Sequence, residues 1–254
     1  MKIYNDIKVS FAFLTRIPIK HSEDVRLHKS AIWFPLVGFA IGSASGLTYF
    51  LLAQKLPTLP SAAIALLVSI AITGAFHFDG LGDIFDGLIG GWNPEDRLRI
   101  LKDSRHGTYG VVAISFQLIL QITLISSLSY KDGALALLAS HTVSKVVPVM
   151  MMLIPSAPNQ AGMGATAARE ITYKHVGATI VLAALLTLPY AGLLFICCLV
   201  SLILPITIFT RWVIKKIGGV LGDAFGAGEQ IAESTLLLLF VSIYSIHGSI
   251  PWLI

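Results

Sequence analysis

The sequence predicts an all-α, polytopic integral membrane helical bundle of about seven transmembrane helices, with the N-terminus in the cytosol. Three observations predict it. Of 254 residues, 55% are hydrophobic and 13% are charged, where an ordinary soluble domain has about a quarter charged, and the mean hydropathy is +0.79. Apolar runs of about 20 residues recur along the chain, each long enough to cross about 30 Å of hydrocarbon as a helix. Lysines and arginines fall almost entirely into alternate loops, as the positive-inside bias requires.

Taken in order, residues 1–30 carry cations spread throughout and no compact apolar core, so they read as a cytosolic or interfacial arm and not as a cleavable leader. Spans are expected at 31–53, 59–76, 110–129, 133–154 and 231–247. Residues 176–210 are about twice the length of one span and hold LPYAG at 188–192, where proline and glycine favour a tight turn, so two helices are expected there. Cys197 and Cys198 are adjacent inside an apolar run and are expected to pack, not to bind metal. With no internal repeat and no low-complexity linker, residues 1–254 form one membrane domain.

Loop charge sets the orientation. Six cations precede the first span (Lys2, Lys8, Arg16, Lys20, Arg26, Lys29), four lie in 77–109, two in 155–175 and three in 211–230, while the opposite side has only Lys55 and Lys131. Of the 14 acids only Asp132 falls outside. The pI near 9.1 therefore reflects basic loops held against a lipid bilayer, not nucleic-acid binding.

The chemistry concentrates in the cytosolic loops. In HFDGLGDIFDGLIGG (77–91), a helix continuing from the second span puts Asp79, Asp83 and Asp86 on one face at i,i+4 and i,i+3. Like charges at that spacing repel, more so beside lipid, unless a divalent cation neutralises them. Mg2+ suits carboxylates that share it with a phosphorylated substrate. The interleaved glycines are expected to let a bulky group approach the backbone. A solvated acidic helix end is the plain alternative, against which stand the interleaved Phe78, Leu81, Ile84, Phe85 and Leu88.

KDSRHGTYG (102–110) alternates Asp103 with Lys102 and Arg105, and arginine presents a planar fork for phosphate. The same segment also reads as a loop capped by Ser104 or Thr108, with His106 as a hydrogen-bonding bystander. GGVLGDAFGAGEQIAES (218–234) adds Asp223, Glu229 and Glu233 at the mouth of the last span. Their target is a second metal, a ribose hydroxyl or a base edge, unless they form an acidic helix N-terminus favoured by the dipole. Lys145 lies near the middle of the fourth span with His141 one turn earlier on the same face, which implies a polar cavity at depth.

Carboxylates, cations and glycines gathered at one membrane face describe metal-assisted transfer of a phosphoryl-type group. CDP-alcohol phosphotransferases use similar chemistry, but their D-G-x2-A-R pattern departs from this chain, where Asp79-Gly80 is followed by Asp83 without Ala-Arg. A secondary transporter should show paired repeats around a midplane site, and the acids here cluster at one face.

FLTRIP (13–18), FPLVGFAIG (34–42), HFDGLGDIFDGLIGG (77–91), LKDSRHGTYG (101–110) and GGVLGDAFGAGEQIAE (218–233) run in order along nearly the whole chain. Together they resemble the cobalamin synthase family, the adenosylcobinamide-GDP ribazoletransferases. The resemblance implies a Mg2+-dependent enzyme of the cytoplasmic (inner) membrane of a prokaryote, multi-pass, with its active site on the cytosolic face. In that reaction a ribose hydroxyl of α-ribazole, or of its 5′-phosphate, attacks the cobinamide phosphate of adenosylcobinamide-GDP and expels GMP.

Carried onto this chain, the resemblance implies Asp79, Asp83 and Asp86 as metal ligands joined by Asp103. Arg105 and Lys102 would steady the pyrophosphate, and His77 would serve as a base or supporting residue. Asp223, Glu229 and Glu233 would form a second metal site or orient the ribazole hydroxyl. Where the family pattern has an arginine near position 145, this chain has Lys145, expected to contact phosphate or a corrin amide. Self-association, or a complex with other cobamide-assembly enzymes, stays open.

Overall fold

The computed structural model describes residues 2–22, 25–103, 105–158 and 163–253. In chain order these form α1 (Lys2–Leu14), α2 (Leu27–Ser30), α3 (Phe34–Leu52), α4 (Thr58–Thr73), α5 (Phe76–Gly90), α6 (Pro94–Ile100), α7 (Thr108–Ser126), α8 (Tyr130–Ser144), α9 (Val146–Met151), α10 (Met163–Glu170), α11 (Tyr173–Ala191), α12 (Leu194–Ile217) and α13 (Gly222–His247). Among the described residues there is no strand, only an isolated bridge between Ser156 and Val220. Six helical stretches are long and apolar enough to cross a membrane: Leu27–Leu52, α7, Tyr130–Met151, α11, α12 and α13. The seventh apolar run is α4. Large apolar side chains such as Phe116 on α7, Leu185 on α11 and Leu204 on α12 remain exposed, forming the surface expected to meet lipid.

Each expected span has its helix, with differences that matter to the site. The second span was expected to run straight into the aspartate segment. Instead α4 ends at Thr73 and the chain turns through 89° into α5. Gly74 and Ala75 make this corner with φ of +64° and +60°, and left-handed backbone costs an L-residue such as Ala75 about 1–2 kcal/mol. The corner is held by the basic arm: Arg16 donates its backbone N–H to Ile72 at 2.8 Å, and its side chain lies where a Cβ on Gly74 would go.

In the double-length region the break falls at Gly192, where φ is +52°, while Pro189 stays inside α11. The expected loop 211–230 is mostly helix. Arg211, Lys215 and Lys216 lie on the end of α12, and Asp223 and Glu229 lie on α13.

α13 is the central element, packed on α5, α7, α8, α9 and α12. α3 docks on α8 along Gly38, Gly42 and Gly46, where any Cβ would meet the α8 backbone at His141, Leu138 or Ala134. Small residues one turn apart allow this approach in an apolar medium, where helices associate by close packing. α5 meets α13 in the same way: a Cβ on Gly80 would stand 2.8 Å from the Asp223 carbonyl oxygen, and one on Gly226 would stand 3.3 Å from His77 Cα. Cys198 is buried and Cys197 exposed within the apolar run.

Candidate active site

The α4–α5 corner presents Asp79 and Asp83 one helical turn apart. The loop leading into α7 brings His106 over them. Its Nε2 lies 3.3 Å from Asp79 Oδ1 and its Nδ1 3.4 Å from Asp83 Oδ1, and one ligand atom from each residue falls within 4.8 Å of the others. Asp223, in the first turn of α13, packs its backbone on Gly80, the residue after Asp79.

Asp83 stands on α5, outside the six spanning stretches. Its partial burial, then the negative charge of Asp79, push its carboxyl up to about 6. Carboxylates that repel one another and converge on one space, with an imidazole beside them, fit a hard divalent cation such as Mg2+. Asp79, Asp83 and His106, whose ligand atoms converge, could hold it.

The structure separates the other expected ligands from this group. Asp86 is 7% exposed and accepts from the backbone N–H of Gly107 at 2.6 Å and of Gly110 at 2.8 Å, using both oxygens. It therefore caps α7, whose N-cap residue Gly107 has no side chain to do so. The expected cap Ser104 lies outside the described residues. Asp103 accepts from Arg105 at 3.0 and 2.7 Å, and these bonds hold its carboxyl down at about 2. The Arg105 fork is thus engaged by its own loop, fully at the surface beside the exposed Lys102. The glycines of the segment admit protein rather than leave room for a ligand: Gly82 meets Ile114 and His106, and Gly87 meets Leu101.

Behind this surface lies a closed polar network. Lys145, expected to face a cavity, is 1% exposed, with Glu229 at 0% and Glu233 at 4%. Its ammonium bonds Glu229 and lies 3.4 Å from Glu233. His141 Nδ1 is 2.6 Å from Glu233 Oε1. Gln230 donates to Glu229 at 3.0 Å and to Glu233 at 3.2 Å. From α7, Gln117 donates to the Gln230 carbonyl at 2.7 Å and to Ser234 Oγ at 2.8 Å. His77 closes the network toward α5, with Nδ1 3.6 Å from Glu229 Oε2. One lysine ion-pairs with two carboxylates here, and His141 and Gln230 bond the remaining oxygens, so the buried charge is met by partners inside the bundle. In this arrangement Lys145, Glu229 and Glu233 present almost no surface to a substrate.

Sequence reasoning undervalued His106 and missed Gln117 and Gln230. The available signal was slight: an amide on the otherwise apolar α7, another between Glu229 and Glu233 on α13, and a histidine after Arg105 next to a helix start.

Comparison with known proteins bears on this geometry. The family model described as cobalamin-5-phosphate synthase matches residues 6–241. The chain is 34% identical over 252 residues to a protein of Shewanella sp. (strain W3-18-1), covering 94% of both chains. It is 36% identical over 240 residues to one of Shewanella baltica (strain OS195), covering 89% of both. With one of Clostridium novyi (strain NT) it shares 35% over 235 residues, covering 91% of this chain and 94% of the relative. Each of these relatives is named adenosylcobinamide-GDP ribazoletransferase. No solved structure matches the chain.

Proposed function

We propose, for a chain that belongs to the cobalamin-5-phosphate synthase family, that the face built by α5, residues 105–107 and the start of α13 transfers the cobinamide phosphate of adenosylcobinamide-GDP to α-ribazole or its 5′-phosphate, releasing GMP. The chain is a membrane transferase of cobalamin biosynthesis. The observation that carries the site assignment is the convergence of Asp79, Asp83 and His106, with the Asp223 backbone packed on Gly80 beside them. When bound there, Mg2+ would supply Lewis-acid charge neutralisation for the phosphate oxygens.

The chain's own residues do the rest. Asp79 and Asp83, with His106 across from them, form the place where the cation would be held and would draw the phosphate oxygens. In the reaction a ribose oxygen forms a bond to the cobinamide phosphorus, the bond to the bridging oxygen breaks, and GMP leaves with that oxygen. The hydroxyl proton must leave as the bond forms. Asp223 lies where α5 meets α13 and can accept it.

Arg105 and Lys102, exposed on the loop, are free to swing toward the pyrophosphate. For Arg105 this exchanges Asp103 for an equally good bidentate phosphate partner. Asp86 positions that loop. Lys145, Glu229, Glu233 and His141 fix α13 against α8 and α9, which holds Asp223 in register with α5.

The positive-inside bias supports a cytosolic N-terminus and a cytosolic site in a prokaryotic cytoplasmic membrane, where the nucleotide substrates are available. The test is GMP release from adenosylcobinamide-GDP and α-ribazole 5′-phosphate by the protein in nanodiscs, with and without Mg2+, beside Asp83→Asn. Magnesium-dependent product that disappears in the variant supports the reading. Product that survives Asp83→Asn overturns the assignment of the aspartates, and no product from the wild type overturns the transfer itself.

A further inference from the structure

The FLTRIP stretch has no part in the chemistry so far, yet it walls a cavity. Phe13 and Leu14 join Phe34, Phe76 and Phe225 around a space of about 190 Å3 between the end of α1 and the starts of α3, α5 and α13. The phenyl rings are ordered. Phe13 stacks on Phe34 with centroids 5.9 Å apart and planes at 10°, and it meets Phe76 edge-on at 5.6 Å. Two polar residues, His77 and Asp223, complete the wall. His77 is 4% exposed, and among the described residues its Nε2 finds no hydrogen-bond partner. That nitrogen has almost no accessible surface, so the polar group the cavity offers an occupant is Asp223.

We propose that this cavity binds the nucleoside acceptor, its aromatic base among the phenylalanines and a hydroxyl facing Asp223. The proposal rests on the transferase reading above and names which substrate sits where. Size is the first argument. An apolar cavity of about 150 Å3 takes benzene, and drug-sized ligands need about 300 Å3 or more, so this one fits a one- or two-ring base and excludes a corrin. Polarity is the second. An acyl chain would satisfy the phenyl walls but set the Asp223 carboxyl against hydrocarbon.

Position is the third. The Asp223 backbone packs on Gly80, next to Asp79, so a sugar at the polar end of the cavity adjoins the carboxylate group where the phosphate is placed.

The experiment uses the full chain in nanodiscs with two variants. Phe225→Ala removes a wall. Gly222→Phe adds bulk at the rim, where a new Cβ meets no atom within 4 Å, and so fills space without cutting into the core. We expect KM for α-ribazole to rise by about tenfold or more in both, with KM for adenosylcobinamide-GDP within about twofold of wild type. Calorimetric titration of α-ribazole alone should show binding to the wild type that is lost in Gly222→Phe. An unchanged nucleoside KM in both variants, or a rise in the adenosylcobinamide-GDP KM instead, overturns the pocket. Binding of α-ribazole that Gly222→Phe abolishes, in a wild type that makes no GMP, supports the pocket and places the failure with the transfer reading.

Discussion

Asp86 caps the helix that follows Gly107. Its carboxylate takes the Gly107 and Gly110 N–H groups at 2.6 and 2.8 Å, joining the aspartate helix to the loop that carries His106 and Arg105. Asp86→Ala should lower stability by about 1–2 kcal/mol, the usual loss for an N-cap, and reduce turnover by releasing the loop. Thermal melts beside a Mg2+ titration check this. A variant with unchanged melting but no Mg2+ binding would make Asp86 a ligand instead.

Asp79→Asn and Asp83→Asn should each cut turnover by about a hundredfold or more while the protein still inserts and melts cooperatively. Steady-state GMP release, with circular dichroism as the folding control, decides it. Activity within tenfold of wild type in both would remove these residues from the chemistry.

In chelator, Asp83 also sets a pH dependence. Its folded carboxyl sits at about 6, above its ordinary 3.8. The folded state therefore holds this proton more tightly than the unfolded chain does, and stability falls as pH rises through that interval. Asp83→Asn should melt higher than wild type at pH 7.5 and not at pH 4, and Mg2+ should narrow the gap at pH 7.5. Equal melting temperatures at both pH values would show that the Asp79–Asp83 repulsion is absorbed elsewhere.

Lys145→Met leaves Glu229 and Glu233 buried without their cation, which should cost about 3–5 kcal/mol. Adding Glu229→Gln should recover part of that loss, because the surplus charge is then reduced. Melting of the single and double variants measures the coupling. Additive losses would mean that the ion pair does not stabilise the bundle.

Gly74→Ala places a side chain at φ +64° against Arg16. It should lose about 1–2 kcal/mol from backbone strain alone. If the corner aims α5, turnover should fall as well. A destabilised variant with wild-type turnover would show that α5 keeps its direction without the corner.

Much of the fold was legible in the sequence because a bilayer imposes a one-dimensional rule: a span needs a run of apolar residues, and Leu194–Ile217 or Thr108–Ser126 stand out on length and composition alone. The acidic segments were legible for the same reason, since charge beside such runs is rare. What sequence spacing could not reveal was direction. Asp79, Asp83 and Asp86 share an arc in any helix, yet Asp86 meets the α7 N-terminus while the other two meet His106.

The corner at Gly74–Ala75 was equally hidden. It depends on Arg16, far away in the chain, and an alanine at φ +60° carries no local signal. Lys145, Glu229 and Glu233 were each visible as charges near or within apolar helices, but their ion pairing exists only once α8 and α13 are packed together. The sequence by itself determined that the chain is an all-helical membrane protein, which runs are long and apolar enough to span and where along the chain the carboxylates gather, because these follow from local hydropathy and charge. The tertiary structure alone decided which carboxylates converge, which cap a helix and which pair with a lysine in the interior, because those roles depend on contacts between residues more than 20 positions apart.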